Sequence, residues 1–248
     1  MWEKEIQYYD CLDSTNLEAR RQAKEHAPEG RVIVANQQTD GRGRRGRSWS
    51  SPDGNLYFSI ILRPTLPLEQ IPPLTLLMGL AVADALGCEQ AKIKWPNDIV
   101  IDGKKVSGIL AEMAPVEGGI SPFIIIGVGV NISVQGLEEE LQNTAIGIME
   151  AAGRGQGREA LLLKILELFE TYYQEYCERG GFDSFVDRYN ARCVNCNREV
   201  LVQSPAGDFR GTALGVNEKG ELLVRRTDGS LECITAGEVS VRGIYGYV

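Results

Sequence analysis

The sequence predicts an α+β protein, with a mixed β-sheet and flanking helices over residues 1–191 and a small all-β domain over residues 192–248. Three observations predict it. Apolar runs of strand length alternate with segments of helical periodicity through most of the chain. Beyond residue 192 the texture changes to short strands separated by glycine-containing turns. A chain of 248 residues, 43% of them apolar, is long enough for one large core and a small appendage.

Taken in order, Ile6–Tyr9 reads as a short strand. Thr15 and Glu18 have the spacing of a capping box, which opens a helix to about Ala27, ahead of Pro28 and Gly30. Residues 31–36 are a buried-strand run, residues 37–54 a polar loop dense in Gly and Arg, and Asn55–Arg63 a further strand. Leu74–Leu86 has helical length. Lys92–Trp95 alternates as a strand until Pro96 stops it, and Ile99–Ile101 and Val106–Met113 form a hairpin about Asp102 and Gly103. Phe123–Val130 is apolar enough for a central strand covered on both faces. Leu161, Ile165, Leu168 and Tyr172 give Arg158–Cys177 an amphipathic helical stripe, and Phe182–Tyr189 reads as a second helix. Glu199–Val202, Phe209–Val216, Glu221–Arg226 and Leu231–Thr235 are the short strands of an appended barrel, with turns at Gly220 and Gly229.

Composition excludes several classes of function. The first residues carry charges where a signal peptide needs an apolar run, and no stretch approaches the roughly 18 apolar residues of a membrane span. A soluble cytoplasmic protein without a membrane partner is expected. A net charge of −8 disfavours general DNA binding, because phosphate neutralisation supplies most of that affinity. Any cationic site must be local. The six cysteines are spread along an ordinary-sized chain, which is no disulfide framework. Cys193 and Cys196 form the only CxxC, readable as half a zinc site or a redox dithiol. A structural zinc takes about four ligands, however, and the single histidine, His26, is remote in sequence.

The segment from Gly41 to Arg47 interleaves four arginines (Arg42, Arg44, Arg45, Arg47) with three glycines (Gly41, Gly43, Gly46), followed by Ser48 and Trp49. Glycines let the backbone approach a ligand closely while guanidinium groups supply charge, so a polyphosphate is the natural guest. Nucleic acid is a weaker reading, because the acidic remainder offers no extended footprint. The spelling from Gly41 to Ser48 falls one residue short of a P-loop: Arg47 replaces the required lysine, and Trp49–Pro52 cannot open the helix that should follow. A solvated loop is the bland alternative.

Two further clusters carry chemistry. Lys94, Trp95, Pro96, Asn97 and Asp98 put a cation, an aromatic and a carboxylate at a strand end; Asp98 could hold Mg²⁺ on ATP phosphates, and the alternative is a solvated turn with Trp95 in the core. Lys105, three residues before Gly108, suits a carboxylate or an α-phosphate, although a strand lysine is more often solvated. Gly127 and Gly129 lack the third glycine of a dinucleotide fingerprint. They read instead as places where a ligand or another strand passes closely, with Asn131 offering an amide.

Taken together, Asp13–Asn16, Gln38–Trp49, Lys94–Asp98, Lys105–Glu112 and Gly127–Asn131 resemble the biotin–protein ligase family, in the family's order and at family-like spacing. The resemblance implies a catalytic sheet of the class II aminoacyl-tRNA-synthetase type, an SH3-like C-terminal barrel, and ATP-dependent biotinylation of a lysine on a biotin carboxyl carrier protein through biotinyl-5'-AMP. It implies biotin contacts from Ser14, Thr15, Asn16, Gln38, Gly41, Arg42 and Gly108, with the ureido ring bonded by Ser14, Thr15 and Gln38. Nucleotide contacts are implied for Arg42, Gly43, Arg44, Arg45, Arg47, Trp49, Lys105, Asn131 and Arg242. Lys105, Arg44 and Asp98 would be catalytic, with Asp98 also holding Mg²⁺. Glu238 and Arg242 match the family's closing motif.

Two departures stand out. Asp40 occupies a position where many members carry a small residue, and the chain starts immediately before the catalytic domain, without a helix-turn-helix module, so no DNA binding is expected. Since AMP is already a good leaving group, no protein nucleophile is needed, and the loop at 37–54 is expected to order over the adenylate and exclude water. A lipoate or octanoate ligase and a catalytically silent biotin sensor are the alternatives. A homodimer is possible, since members of the family pair through sheet edges.

Overall fold

The computed structural model describes residues 5–114, 122–152, 157–204, 207–236 and 240–243. Strands β1 (Ile6–Leu12), β2 (Val32–Gln38), β3 (Leu56–Leu62), β4 (Lys92–Lys94), β5 (Asp98–Ile101), β6 (Lys104–Ala114) and β7 (Phe123–Val130) form one sheet in the order β1-β2-β3-β7-β6-β5-β4. β1 runs parallel to β2, whereas β2–β3, β3–β7, β7–β6 and β4–β5 are antiparallel. The sheet is mixed, as the sequence predicts. The chain divides into two compact units, Met1–Thr65 with Val106–Lys164 and Leu66–Lys105 with Ile165–Val248.

In the first unit, helix α1 (Thr15–Lys24) connects β1 to β2. Its alanines make it fit: Ala19 and Ala23 are fully buried and, with Ala27, pack on Ile33, Ile61, Phe123 and Ile125. The capping box does not form. Ser14, not Thr15, is the N-cap, and it makes no side-chain cap bond; the Thr15 N–H donates to Gln38 Oε1 at 2.8 Å, and Glu18 turns to Arg21. The orphan donor at the helix start is therefore satisfied from the end of β2, by a residue 23 positions away. The helix also stops at Lys24, three residues before the expected end. Arg63 closes it, donating to the carbonyls of Ala23 (2.8 Å) and Ala27 (3.0 and 3.1 Å), which places a cation at the negative end of the helix. Replacing Arg63 by Ala is expected to cost about 1–2 kcal/mol in urea unfolding; an unchanged midpoint would remove this role.

β7 lies between β3 and β6, and every residue of β3 and of β7 is buried, so the apolar run marks a central strand as predicted. Beyond it come two short helices, α3 (Glu139–Gln142) and α4 (Ile148–Ala152).

In the second unit, α2 (Pro73–Ala85) opens with proline at its first position and is buried nearly all round. Asp102 (φ 50°) and Gly103 (φ 76°) form the predicted tight turn of the β5–β6 hairpin. Helix α5 (Arg158–Arg179) runs two residues past Cys177 and ends at Gly180, whose φ of 75° admits the left-handed C-terminal turn. Instead of one helix from Phe182, a 3-10 turn (Asp183–Phe185) precedes α6 (Val186–Arg192). Phe182, Phe185, Tyr189 and Tyr172 cluster with ring centroids 5.8 Å apart, Phe182 meeting Tyr189 edge to face, and Asp84 of α2 receives Arg188 and Arg192 of α6, each at 2.7 Å, and the Tyr172 hydroxyl at 3.0 Å.

Strands β8 (Arg198–Gln203), β9 (Phe209–Val216), β10 (Leu222–Arg226), β11 (Leu231–Ile234) and β12 (Ser240–Gly243) form an antiparallel sheet in the order β11-β10-β9-β8-β12. Four of these were legible as strands. β12 was not singled out as a strand; it is four residues long and pairs with β8, the first strand of the domain.

Candidate functional site

A polar network occupies the start of α1, on the face of the sheet that the helix covers. Asn16 is 3% exposed; its amide donates to Glu112 Oε2 (2.8 Å), and its Oδ1 lies 2.6 Å from Ser59 Oγ. Ser59 also stands 2.8 Å from Thr15 Oγ1, and its one proton serves one of the two. Gly127 makes this possible, because a Cβ there would lie 2.0 Å from Asn16 Oδ1. Gln38 joins the network from the end of β2. Its Oε1 accepts from the Thr15 backbone and hydroxyl (2.8 and 3.2 Å), and its Nε2 donates to Ser51 Oγ at 2.8 Å. Ser14 is buried, with its N–H on Asp13 Oδ1.

The arginine and glycine segment is a narrow hairpin. Trp49 N–H donates to the Gly41 carbonyl (2.8 Å), Arg42 bridges Ser48, and Gly43 N–H donates to the Arg47 carbonyl (2.7 Å). The tip, Arg44–Gly46, turns through left-handed backbone at Arg45 (φ 58°) and Gly46 (φ 72°). Expected to order over a ligand, this part of the loop already holds a ladder of its own. At its base Gly41 is buried, and a Cβ there would meet the Trp49 carbonyl at 2.3 Å and Ser51 Oγ at 2.6 Å. Trp49 lies on Gly129, where a Cβ would come within 2.4 Å of the indole; Gly108 pairs with Gly129 from β6. Arg42 reaches Glu112 Oε1 at 3.7 Å, a carboxylate shared with Arg20 at 3.3 Å. Arg45 and Arg47 are exposed, and Arg44 is half-buried.

The structure thus brings together Ser14, Thr15, Asn16, Gln38, Gly41, Arg42, Trp49 and Gly108. Asn131 is buried where β7 ends, its N–H on the Val106 carbonyl (2.8 Å). Ser51, Ser59 and Glu112 were given no role from sequence, although Ser59 is the one hydroxyl in an apolar strand other than that of Tyr57, which is a detectable signal. Glu238 lies outside the described residues, as does the side chain of Arg242, whose backbone pairs with Leu201.

Asp13 is held by two hydrogen bonds from Arg21 (2.8 and 2.9 Å), which bring its carboxyl down from the usual 3.8 to about 2. A depressed carboxyl contributes stability above its unfolded value, lost as pH falls through about 2. The pair is more than a third exposed, so screening keeps the contribution under about 1 kcal/mol. In Arg21→Ala the Asp13 carboxyl should return towards 3.8, read by carboxyl-carbon NMR titration; a titration still near 2 would show that Arg21 is not the cause.

In the second unit, Lys94 pairs in register with Asp98 across the β4–β5 turn, which contains a cis Trp95–Pro96 bond. Lys94 is 8% exposed, and Asp98 Oδ1 receives the Lys105 ammonium at 2.7 Å and the Asn97 amide at 3.1 Å. Trp95 is core, its indole on the Gly220 carbonyl (3.1 Å). This arrangement does not fit Asp98 as a Mg²⁺ ligand. With the Lys105 ammonium on Oδ1 the charge of this carboxylate is already matched, and a hard cation would have to displace that partner.

The profile of the biotin/lipoate A/B protein ligase family matches residues 8–131, and that of the biotin protein ligase C-terminal domain matches residues 196–242. The chain belongs to the biotin/lipoate A/B protein ligase family. It is similar to the bifunctional ligase/repressor BirA of Bacillus subtilis (strain 168), with 39% identity over 90% of this chain and 70% of that protein. It is 30% identical to the biotin--[acetyl-CoA-carboxylase] ligase of Paracoccus denitrificans, over 93% of this chain and 98% of that one. Among solved structures, the biotin protein ligase from Aquifex aeolicus in complex with biotin and ATP superposes with a TM-score of 0.85 at 31% identity, covering 97% of this chain and 99% of that one. The polar network and the hairpin both lie within the stretch matched by the ligase family profile.

Proposed function

We propose that the protein activates biotin with ATP as biotinyl-5'-AMP and transfers the biotinyl group to a lysine of a biotin carboxyl carrier protein, as a biotin–[acetyl-CoA-carboxylase] ligase. The observation that carries this reading is the convergence of Thr15, Gln38 and the Gly41 turn at the foot of the arginine hairpin. It joins a few fixed donors and acceptors, suited to a ureido ring, to a cationic strip suited to phosphate.

In the first half-reaction a biotin carboxylate oxygen attacks the α-phosphorus of ATP. An O–P bond forms, the bond to the bridging oxygen breaks, and pyrophosphate leaves. The chain's task is to position two anions and offset the growing charge, which falls to Arg44 and Lys105, with Asp98 orienting the Lys105 ammonium. In the second, a neutral carrier lysine attacks the acyl carbon, AMP departs and the lysine sheds a proton. Arg42, Gly43, Arg45, Arg47, Trp49 and Asn131 hold the nucleotide, and Ser14, Thr15, Asn16, Gln38, Gly41 and Gly108 the biotin. Mg²⁺ enters with ATP, not on a protein carboxylate. Residues 1–191 carry the chemistry and 192–248 form the appended SH3-like domain, in which Arg242 meets nucleotide or carrier. No described helix is long and apolar enough to cross a membrane, and all six cysteines are free, which accords with a cytoplasmic setting. β1 is an edge strand, where a second copy could pair.

The test mixes the protein with ATP, Mg²⁺, biotin and a carrier domain and follows the carrier by intact mass. One added biotinyl group is expected, and none when lipoate or octanoate replaces biotin. An unmodified carrier with biotin bound would point to a sensor and overturn the reading.

A further inference from the structure

The CxxC has no part in this chemistry, yet its position is unusual. Cys193 follows α6 directly, and a turn closed by Cys196 N–H on the Cys193 carbonyl (3.3 Å) brings the two cysteines together. Such a turn holds its first and last Cα atoms within about 7 Å, the span that a disulfide bridges. Both thiols are free; Cys193 is buried and Cys196 half-buried. The turn is also fastened to β4. Cys193 bridges Ile93, Val194 N–H donates to the Ile93 carbonyl (2.9 Å), and the Trp95 N–H donates to Asn195 Oδ1 (2.8 Å). Asn195 is 2% exposed, and its Oδ1 is 3.8 Å from Cys193 Sγ. One side chain therefore touches both the dithiol and the strand that carries Lys94.

Two further features suit thiol exchange. The hydrogen bond from Cys193 lowers the Cys196 thiol below its ordinary value, while the same bond and burial push Cys193 up. The more accessible sulfur is thus the better nucleophile. The Tyr189 hydroxyl is fully buried and has no hydrogen-bond partner among the described residues; burial first, and then the charge of the two sulfurs, disfavours its ionisation, which keeps it a neutral donor.

We propose that the Cys193–Cys196 turn is a dithiol–disulfide modification site for low-molecular-weight disulfides, and that its oxidation is passed through Asn195 to the β4–β5 hairpin. The Cys196 thiolate attacks one sulfur of the disulfide, forming a mixed disulfide and expelling one thiolate, which takes up the Cys193 proton. The Cys193 thiolate so formed attacks Cys196 Sγ, the intramolecular S–S bond forms as the mixed-disulfide bond breaks, and the second small thiolate leaves and takes up the proton that Cys196 had released. Two protein thiols lose two electrons and one small disulfide gains them. Joining the sulfurs tightens the turn and draws Asn195 from the Trp95 amide. The effect on activity rests on the ligase reading above; the chemistry and the strand response do not.

The full chain, reduced and then equilibrated with graded ratios of oxidised to reduced glutathione, is acid-quenched, alkylated and mapped by peptide mass. A Cys193–Cys196 disulfide is expected at ratios that leave Cys11, Cys177 and Cys233 as thiols. Hydrogen exchange should quicken at Trp95, and biotin-dependent pyrophosphate exchange should fall about tenfold, less than the roughly hundredfold that a full 1 Å misplacement can cost, recovering with dithiothreitol. Cys196→Ser should keep the reduced-state rate and lose the response; a variant with Cys11, Cys88, Cys177 and Cys233 all changed to Ser should keep both. Separate glutathione adducts, or thiols that never oxidise, would overturn the site. A disulfide that leaves Trp95 exchange unchanged would overturn the coupling. Absence of pyrophosphate exchange even in the reduced protein would count against the ligase reading instead.

Discussion

Lys105→Ala is expected to lower biotin-dependent pyrophosphate exchange by about a hundredfold, near 3 kcal/mol of lost charge stabilisation. The ammonium sits 2.7 Å from Asp98 and is about three-quarters buried, so its charge is screened less than that of a surface lysine. Removing it has two effects of the same sign. The reacting anions lose a cation, and the Asp98 carboxylate, only 15% exposed, loses an ion-pair partner and becomes an anion facing anionic substrates. Asp98→Asn removes the orienting partner but leaves the ammonium, so its loss should be smaller and fall mainly on kcat. Single-turnover adenylate formation separates chemistry from binding. A Lys105→Ala variant with wild-type exchange would remove the residue from the mechanism, and a loss confined to the biotin KM would reassign it to ground-state binding.

Gly127→Ala is expected to destabilise the fold by about 2–4 kcal/mol and to weaken biotin binding along with it. The added Cβ would stand 2.0 Å from Asn16 Oδ1 and 2.8 Å from its Cγ. β7 cannot retreat, being bonded on both sides to β3 and β6. α1 must lift, or Asn16 must turn away and leave Ser59 and Glu112 without that partner. Either movement disturbs Ser14 and Thr15 on the same helix start. Gly157→Ala, with nothing among the described residues within 4 Å of the new atom, is the control and should cost much less, under about 1 kcal/mol for its place at the start of α5. In an Asn16→Ala background the Gly127→Ala penalty should shrink, because the clashing atom is gone. Equal penalties in both backgrounds would show that the glycine serves something other than Asn16.

The glycines of β7 show how far sequence reasoning reaches. Gly127 and Gly129 mark a place where something passes close to the strand, and something does: Asn16 and Trp49 of the same chain. Which groups they would be was not legible, since Asn16 arrives by way of α1 and Trp49 by way of the hairpin. The same limit explains the failed capping box, where Gln38 outcompeted a local partner for the Thr15 amide. It also explains Asp98: a lone carboxylate at a turn reads as open to a metal until the β5–β6 hairpin sets Lys105 against it.

The residues by themselves determined the alternation of strands and helices, the turns at Gly103, Gly220 and Gly229, the central burial of β7 and the cationic character of the 41–47 hairpin. These depend on side-chain period, backbone freedom and composition, all local to a few neighbouring positions. Only the tertiary structure decided which polar groups satisfy one another: Thr15 with Gln38, Asn16 with Glu112 and Ser59, Trp95 with Asn195 and Gly220. A buried donor takes whichever acceptor packing delivers to it, and packing is settled by contacts between segments far apart along the chain.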